Sequence, residues 1–230
     1  MHLVLLPGMD GTGSLFSGLV SALGPGFEAT VVKYPADQAL GYKELESFAR
    51  SSLPLDRPFI ILGESFSGPI AISLSASMPP GLAGVILCCS FARNPLPVLR
   101  WLKSLLGLVP FDHLPKVFLG PFLFGRFASR KERSELGEAV SRVSNKTMRA
   151  RIKAVLEVDA SAKLRQIAVP ILYLRASEDH IVPRAASEHI SPVAPRVRMV
   201  ELEAPHLLLQ AIPTAASIVI SEFSRDIAGA

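Results

Sequence analysis

A chain of 230 residues, 49% of them hydrophobic, is long enough to bury one substantial core, and no shift in composition marks a second independently folding unit. The net charge of +4 and a pI near 9.3 raise nucleic acid as a partner. However, lysine and arginine are scattered apart from residues 126–133 and 142–153, and neither a nucleic-acid motif nor interleaved tyrosine and tryptophan accompanies those runs, which read as solvated helix faces.

The first predicted element is an apolar strand over residues 3–6. It has no basic leader and is broken by Pro7-Gly8 after a handful of residues, too short for a signal-peptide core or a membrane span, so the expected location is the cytoplasm. The loop Pro7-Gly8-Met9-Asp10-Gly11-Thr12-Gly13 carries glycines at three positions, which lets backbone N–H groups approach a ligand closely. The N–H of Met9 is assigned as one oxyanion donor. Gly8 and Asp10 are candidate substrate contacts, Asp10 being also suited to holding the loop's shape. A phosphate-cradling loop is the rival reading, but the spacing lacks the Lys-Ser/Thr ending of a nucleotide loop and the six-residue dinucleotide pattern.

A strand is expected over 30–34, and the next over 59–62, where Phe59-Ile60-Ile61-Leu62 runs into Gly63-Glu64-Ser65-Phe66-Ser67-Gly68. This reads as a strand-to-helix turn with Ser65 at its apex. Such a turn strains the serine's backbone and needs small residues two before and two after, a demand that Gly63 and Ser67 meet. Pro69 fits the first turn of the following helix, and Pro79-Pro80-Gly81 stops it. The plain alternative is a Gly/Ser-rich turn without chemistry. If Ser65 is the nucleophile, the N–H of Phe66 is the second oxyanion donor.

The run over 85–89 is a further strand, in which Cys88 and Cys89 point to opposite faces as buried, reduced thiols. After it the strand rhythm stops. Residues 95–156 read as helices broken by Pro97, Pro110, Pro115 and Pro121, a candidate cap whose apolar residues include Trp101, Phe118 and Phe122. Part of this surface is expected to line an acyl pocket, although each such residue also suits plain packing against the sheet. Arg126, Arg130, Lys131 and Arg133 beside it raise contact with a membrane surface as a further option. The expected organisation is therefore a core of residues 1–93 and 157–230 with a helical insertion over 94–156.

A strand over 171–174 runs into the polar turn Arg175-Ala176-Ser177-Glu178-Asp179, and carboxylates at that end of a strand sit where catalytic groups gather in open α/β sheets. Asp179 is chosen over Glu178 because a short carboxylate before His180-Ile181-Val182-Pro183 leaves the turn pointing inward. Capping of the next turn is its ordinary alternative role, and Asp159, placed before the strand, is a weaker rival acid. The last strand spans 198–202, followed by a loop Glu203-Ala204-Pro205 and then His206. The remaining histidines, His2, His113, His180 and His189, read as surface or satisfied core residues. No histidine pair has metal-ligand spacing, so no metal is expected. Ser65, Asp179 and His206 thus stand in the chain order serine, acid, histidine.

On these residues the chain resembles the α/β-hydrolase superfamily, in which an elbow serine, an acid after a later strand and a histidine after the last strand form a triad. Leu6-Pro7-Gly8-Met9-Asp10-Gly11-Thr12-Gly13 is similar to the oxyanion loop of small esterase, lipase and acyltransferase members, with Pro7 where many relatives carry histidine. Gly63-Glu64-Ser65-Phe66-Ser67 departs from G-x-S-x-G at its last position, and Glu64 stands where histidine is more usual. The resemblance implies a mostly parallel sheet of about six strands with helices on both faces, lacking the first N-terminal strands of the full fold. The strand over 30–34 is then an edge, with Lys33 discouraging pairing with other chains. It also implies a serine carboxylesterase acting on short to medium apolar acyl esters through an acyl-enzyme, without a cofactor. An acyltransferase, a thioesterase and a non-catalytic ligand-binding member are the alternatives. The expected partner is a small-molecule ester, and the expected state is a monomer or homodimer.

Overall fold

Apolar runs of this kind become central strands because a parallel sheet covered on both faces asks for near-continuous hydrophobic segments. A computed structural model describes residues 1–104, 123–127, 129–194 and 196–229. The helices expected over 105–122, with Phe118 and Phe122, lie outside the described residues. Strands β1 (His2–Leu6), β2 (Glu28–Val31), β3 (Phe59–Glu64), β4 (Leu82–Cys88), β5 (Ile171–Glu178) and β6 (Val197–Pro205) form one sheet. Its order is β2-β1-β3-β4-β5-β6 and every pairing is parallel, so β2 stands at an edge as expected.

Among the described residues the helices are α1 (Ser17–Leu23), α2 (Tyr42–Arg50), α3 (Gly68–Ala76), α4 (Arg130–Ser141), α5 (Asn145–Glu157), α6 (Ser161–Leu164), α7 (Arg184–Ile190), α8 (Leu208–Ala211) and α9 (Pro213–Ala228). The two-residue period of the strands sorts the core. Val4, Leu6, Ile61, Val85, Leu87 and Tyr173 face one cluster, roofed by Leu45 and Ala49 of α2 and by Ile70, Ala71 and Leu74 of α3. Leu3, Leu5, Ile60, Leu62, Ile86 and Leu174 face the other, roofed by Leu19 and Leu23 of α1 and by Ala216, Ile220 and Phe223 of α9. Between β4 and β5, α4 begins on a capping box in which the Ser129 hydroxyl accepts the Glu132 N–H at 3.3 Å while Glu132 accepts the Ser129 N–H at 2.7 Å.

Five expectations need correction. β2 lies at residues 28–31 rather than 30–34, so Lys33 is exposed just beyond the strand and cannot guard its edge. Residues 175–178 are not a turn, since β5 continues to Glu178, and residues 203–205 are not a loop, since β6 continues to Pro205. The polar residues fit a strand there because they pair across it, Arg175 Nη2 lying 2.6 Å from Glu201. Cys88 and Cys89 do not point to opposite faces: β4 ends at Cys88, Cys89 takes φ 47°, and both side chains enter the same cluster with their sulfurs 4.0 Å apart. Finally, the run over 142–153 is not wholly a solvated face, because Arg151 is buried.

Candidate active site

The register of the sheet brings the chemistry together. Leu6 pairs with Gly63, so the loop after β1 and the turn after β3 leave the sheet side by side. Asp179 immediately follows β5 and His206 immediately follows β6, on the same carboxyl edge.

Ser65 opens a 3₁₀ turn over Ser65–Ser67 with φ 48°, a left-handed conformation that a non-glycine residue holds only where its surroundings enforce it. A Cβ on Gly63 would come within 2.7 Å of the Ala71 side chain and 2.8 Å of the Ser67 carbonyl, and one on Gly68 within 1.8 Å of Ser90 Oγ. Ser90 in turn donates its hydroxyl to the Ser65 carbonyl at 2.5 Å. The serine at position 67, where the family pattern has glycine, does more than stay small. Its hydroxyl donates to the Pro7 carbonyl and accepts from Tyr34 OH at 2.9 Å, joining the elbow to the neighbouring loop.

Ser65 Oγ lies 2.8 Å from His206 Nε2, and His206 Nδ1 lies 2.9 Å from each carboxylate oxygen of Asp179. A carboxylate only accepts, so Nδ1 carries the proton and Nε2 is free to accept from the serine hydroxyl. Asp179 Oδ1 also accepts the N–H groups of Ile181 and Val182 at 2.9 and 2.8 Å, which fixes the carboxylate while the His206 and Asp179 side chains are 3% and 7% exposed. Glu178 takes Arg126 Nη2 at 2.6 Å, shared with Glu203 at the same distance, and Asp159 accepts the Ser161 N–H at 2.9 Å. A hydroxyl donating to a neutral imidazole whose other nitrogen is held by a carboxylate can lose its proton as it attacks an electrophile.

Phe66 is the second residue of the elbow turn; its ring stacks on Tyr42 at 4.8 Å, and its carbonyl accepts Tyr42 OH at 3.0 Å. The loop carrying Met9 is held from the opposite direction. Arg151 on α5 donates through Nη1 to the Met9 and Asp10 carbonyls at 2.7 and 2.9 Å, and through Nη2 to the Pro35 carbonyl at 3.0 Å. Gly11, at φ 69°, leaves it room, since a Cβ there would meet Nη1 at 2.6 Å. Burial pulls the Arg151 guanidinium below its ordinary range, with Asp10 opposing. Asp10 turns its Oδ2 to Thr12, accepting its N–H at 2.8 Å and its hydroxyl at 2.5 Å. Gly8 lies between the Asp10 and Glu64 carboxylates, and Trp101 is 63% exposed on the stretch Pro97–Ser104.

Sequence reasoning missed Arg151 and left Glu64 without a role. The helical period contained a signal for the first, because Thr147 and Arg151, one turn apart, both face inward from α5. Glu64 ends β3 fully enclosed and accepts Gln210 Nε2 at 2.9 Å; nothing in its local sequence signals that partner, which lies on α8.

A model of the alpha/beta hydrolase family matches residues 3–215. The chain is 28% identical over 176 residues to the biotin biosynthesis bifunctional protein BioHC of Cellvibrio japonicus, a match covering 72% of this chain and 34% of that protein, so it spans about a third of that relative's length. A thermophilic esterase from Thermogutta terrifontis superposes with TM-score 0.84 at 18% identity, covering 99% of this chain and 90% of that one. The enol-lactonase from Burkholderia xenovorans LB400 gives 0.79 at 18% identity over 97% and 91%, and a bromoperoxidase from Bacillus anthracis gives 0.82 at 16% identity over 97% and 91%. At such identities these likenesses speak for the fold, and it is the family model, spanning all but the two ends, that shows the chain to belong to the alpha/beta hydrolase family.

Proposed function

We propose that the protein is a serine carboxylesterase acting on esters of short to medium apolar acyl chains. The observation that carries this reading is the unbroken hydrogen-bond chain from Ser65 Oγ through His206 to Asp179. Ser65 attacks the ester carbonyl as its proton passes to His206 Nε2, and Asp179 stabilises the imidazolium that results. The developing oxyanion is received by the backbone N–H groups of Met9 and Phe66. His206 then returns the proton to the leaving alkoxide, and water, deprotonated by His206, hydrolyses the acyl-enzyme by the same route.

The acyl preference is supported by the apolar surroundings of the histidine: Leu123, Phe124, Leu136 and Ala139 pack in one cluster with Leu15 and with Leu207, the neighbour of His206. Leu123 also accepts the Leu207 N–H at 3.1 Å, tying the inserted segment to this edge. In this reading that segment acts as a cap over the serine. Labelling with a fluorophosphonate and mapping the modified peptide, alongside p-nitrophenyl esters of graded length, tests the proposal. Adduct on Ser65 with ester turnover is expected, while an unlabelled Ser65 in folded protein refutes it.

A further inference from the structure

Glu64 is a buried carboxyl beside the proposed nucleophile that the triad does not use. It is 2% exposed, and Gln210, which donates to its Oε1 at 2.9 Å, is 9% exposed. Gln210 sits on α8, four residues after His206. The other side of the carboxyl faces the loop after β1: a Cβ on Gly8 would stand 3.7 Å from Glu64 Oε2, and the Gly8 N–H lies near enough to favour the charged form of the carboxyl. One side chain therefore touches the oxyanion loop, belongs to the elbow strand and grips the segment carrying His206.

We propose that ionised Glu64 is a positioning residue that braces the oxyanion loop against the His206 segment through Gly8 and Gln210, and that its protonation releases the brace. Both neighbours turn N–H groups toward it, which suits a carboxylate able to accept at either oxygen, whereas a protonated acid keeps one accepting oxygen and presents at the other an O–H that neither donor can receive. The acceptor within reach is Gln210 Oε1, which is buried without a hydrogen-bond partner. Turning to engage it draws the carboxyl toward α8 and away from Gly8, whose peptide unit leads directly to the Met9 N–H. Burial, reinforced by the Asp10 charge, pushes the Glu64 carboxyl up to about 7, with Gln210 and the Gly8 N–H opposing. Among the described residues the titratable groups facing it are Asp10 from the loop and Cys88 from β4, the latter held neutral by its own burial. The brace thus changes state across neutral pH.

The kinetic consequence rests on the esterase reading of Ser65. Wild type, Glu64→Gln and Gln210→Met are compared by kcat and KM for p-nitrophenyl butyrate across the neutral range, and by the ¹⁵N shift of the Gly8 amide against pH. The acid limb of wild-type kcat is expected to include loss of the Glu64 proton. Glu64→Gln should show a limb shallower by one proton and, on its alkaline plateau, a kcat lower by roughly tenfold with KM little changed, the loss expected of a displaced rather than deleted oxyanion donor. Gln210→Met removes a donor that favours the charged form, so its limb moves to higher pH; it carries the kinetic test should Glu64→Gln not fold. Wild-type plateau kcat with an unchanged limb in Glu64→Gln, or an unmoved limb in Gln210→Met, overturns the brace. If wild type neither labels at Ser65 nor turns over ester, the esterase reading falls and the Gly8 amide decides: a wild-type titration near pH 7, displaced in Gln210→Met, upholds the brace and a flat profile refutes it.

Discussion

Around Ser65, polar side chains from distant parts of the chain hold the triad and the neighbouring loop in place, and each can be tested singly. Ser65→Ala is expected to fold as wild type, because the left-handed backbone is held by Ser90 and the elbow's small residues, and to lose essentially all turnover. Asp179→Asn should cost on the order of 10⁴ in kcat by leaving His206 in the wrong tautomer, a loss comparable to His206→Ala. Arg151→Met strands three carbonyls that share one guanidinium, so a destabilisation of roughly 3 kcal/mol and a fall in kcat are expected by chemical denaturation and steady-state assay. Arg151→Lys should recover only part of both, since an ammonium cannot reproduce the planar fork that reaches all three. The meeting of Ser65, Asp179 and His206 at one sheet edge was legible because each was expected a short step beyond a predicted strand. Arg151 was not, because its charge suggested a solvated face and outweighed the inward signal carried by its one-turn spacing from Thr147 on α5.

The elements obey the same logic one level up. The elbow works as a packed joint of β3 and α3, so Gly68→Ala, whose new methyl must displace Ser90 Oγ, should lower thermal stability and kcat together. Ser67→Gly restores the family pattern yet removes the hydroxyl that joins Tyr34 to Pro7. A loss of roughly 1–2 kcal/mol is expected, read from the unfolding midpoint, because the buried Tyr34 hydroxyl loses its acceptor. The central strands were readable from sequence since both faces demand apolar residues. The far ends of β5 and of the edge strand β6 were not: Arg175 with Glu201 extends both beyond the core by an ion pair between strands, a contact between residues far apart in sequence. The edge strand β2 was placed two residues late for a related reason, one of its flanks being free of the pairing that sharpens a pattern.

For the molecule as a whole, the buried Glu64 sets a pH dependence of stability. Its carboxyl is raised in the folded protein from 4.5 to about 7, so between those values the native state binds a proton that the unfolded chain has released. Stability should therefore fall as pH rises through this window, by up to roughly 3 kcal/mol, and flatten above it. Urea titrations at intervals of pH should show this slope in wild type and not in Glu64→Gln, a matching slope in the variant removing Glu64 as its source. Because the brace is engaged only in the charged form, the protein gives up stability in the same pH range where the site is set for turnover.

The ties that join Ser65 to His206, Met9 to Arg151 and Glu64 to Gln210 bridge 141, 142 and 146 positions of the chain. Contacts of that separation close late, after local helices and neighbouring strands have formed, because the intervening chain must first be ordered. On refolding, recovery of helical signal should accordingly run ahead of recovery of fluorophosphonate labelling. On the esterase reading, a chain still being finished can own its helices and much of its core while Ser65 stays inert, so hydrolytic competence would report completion of the fold.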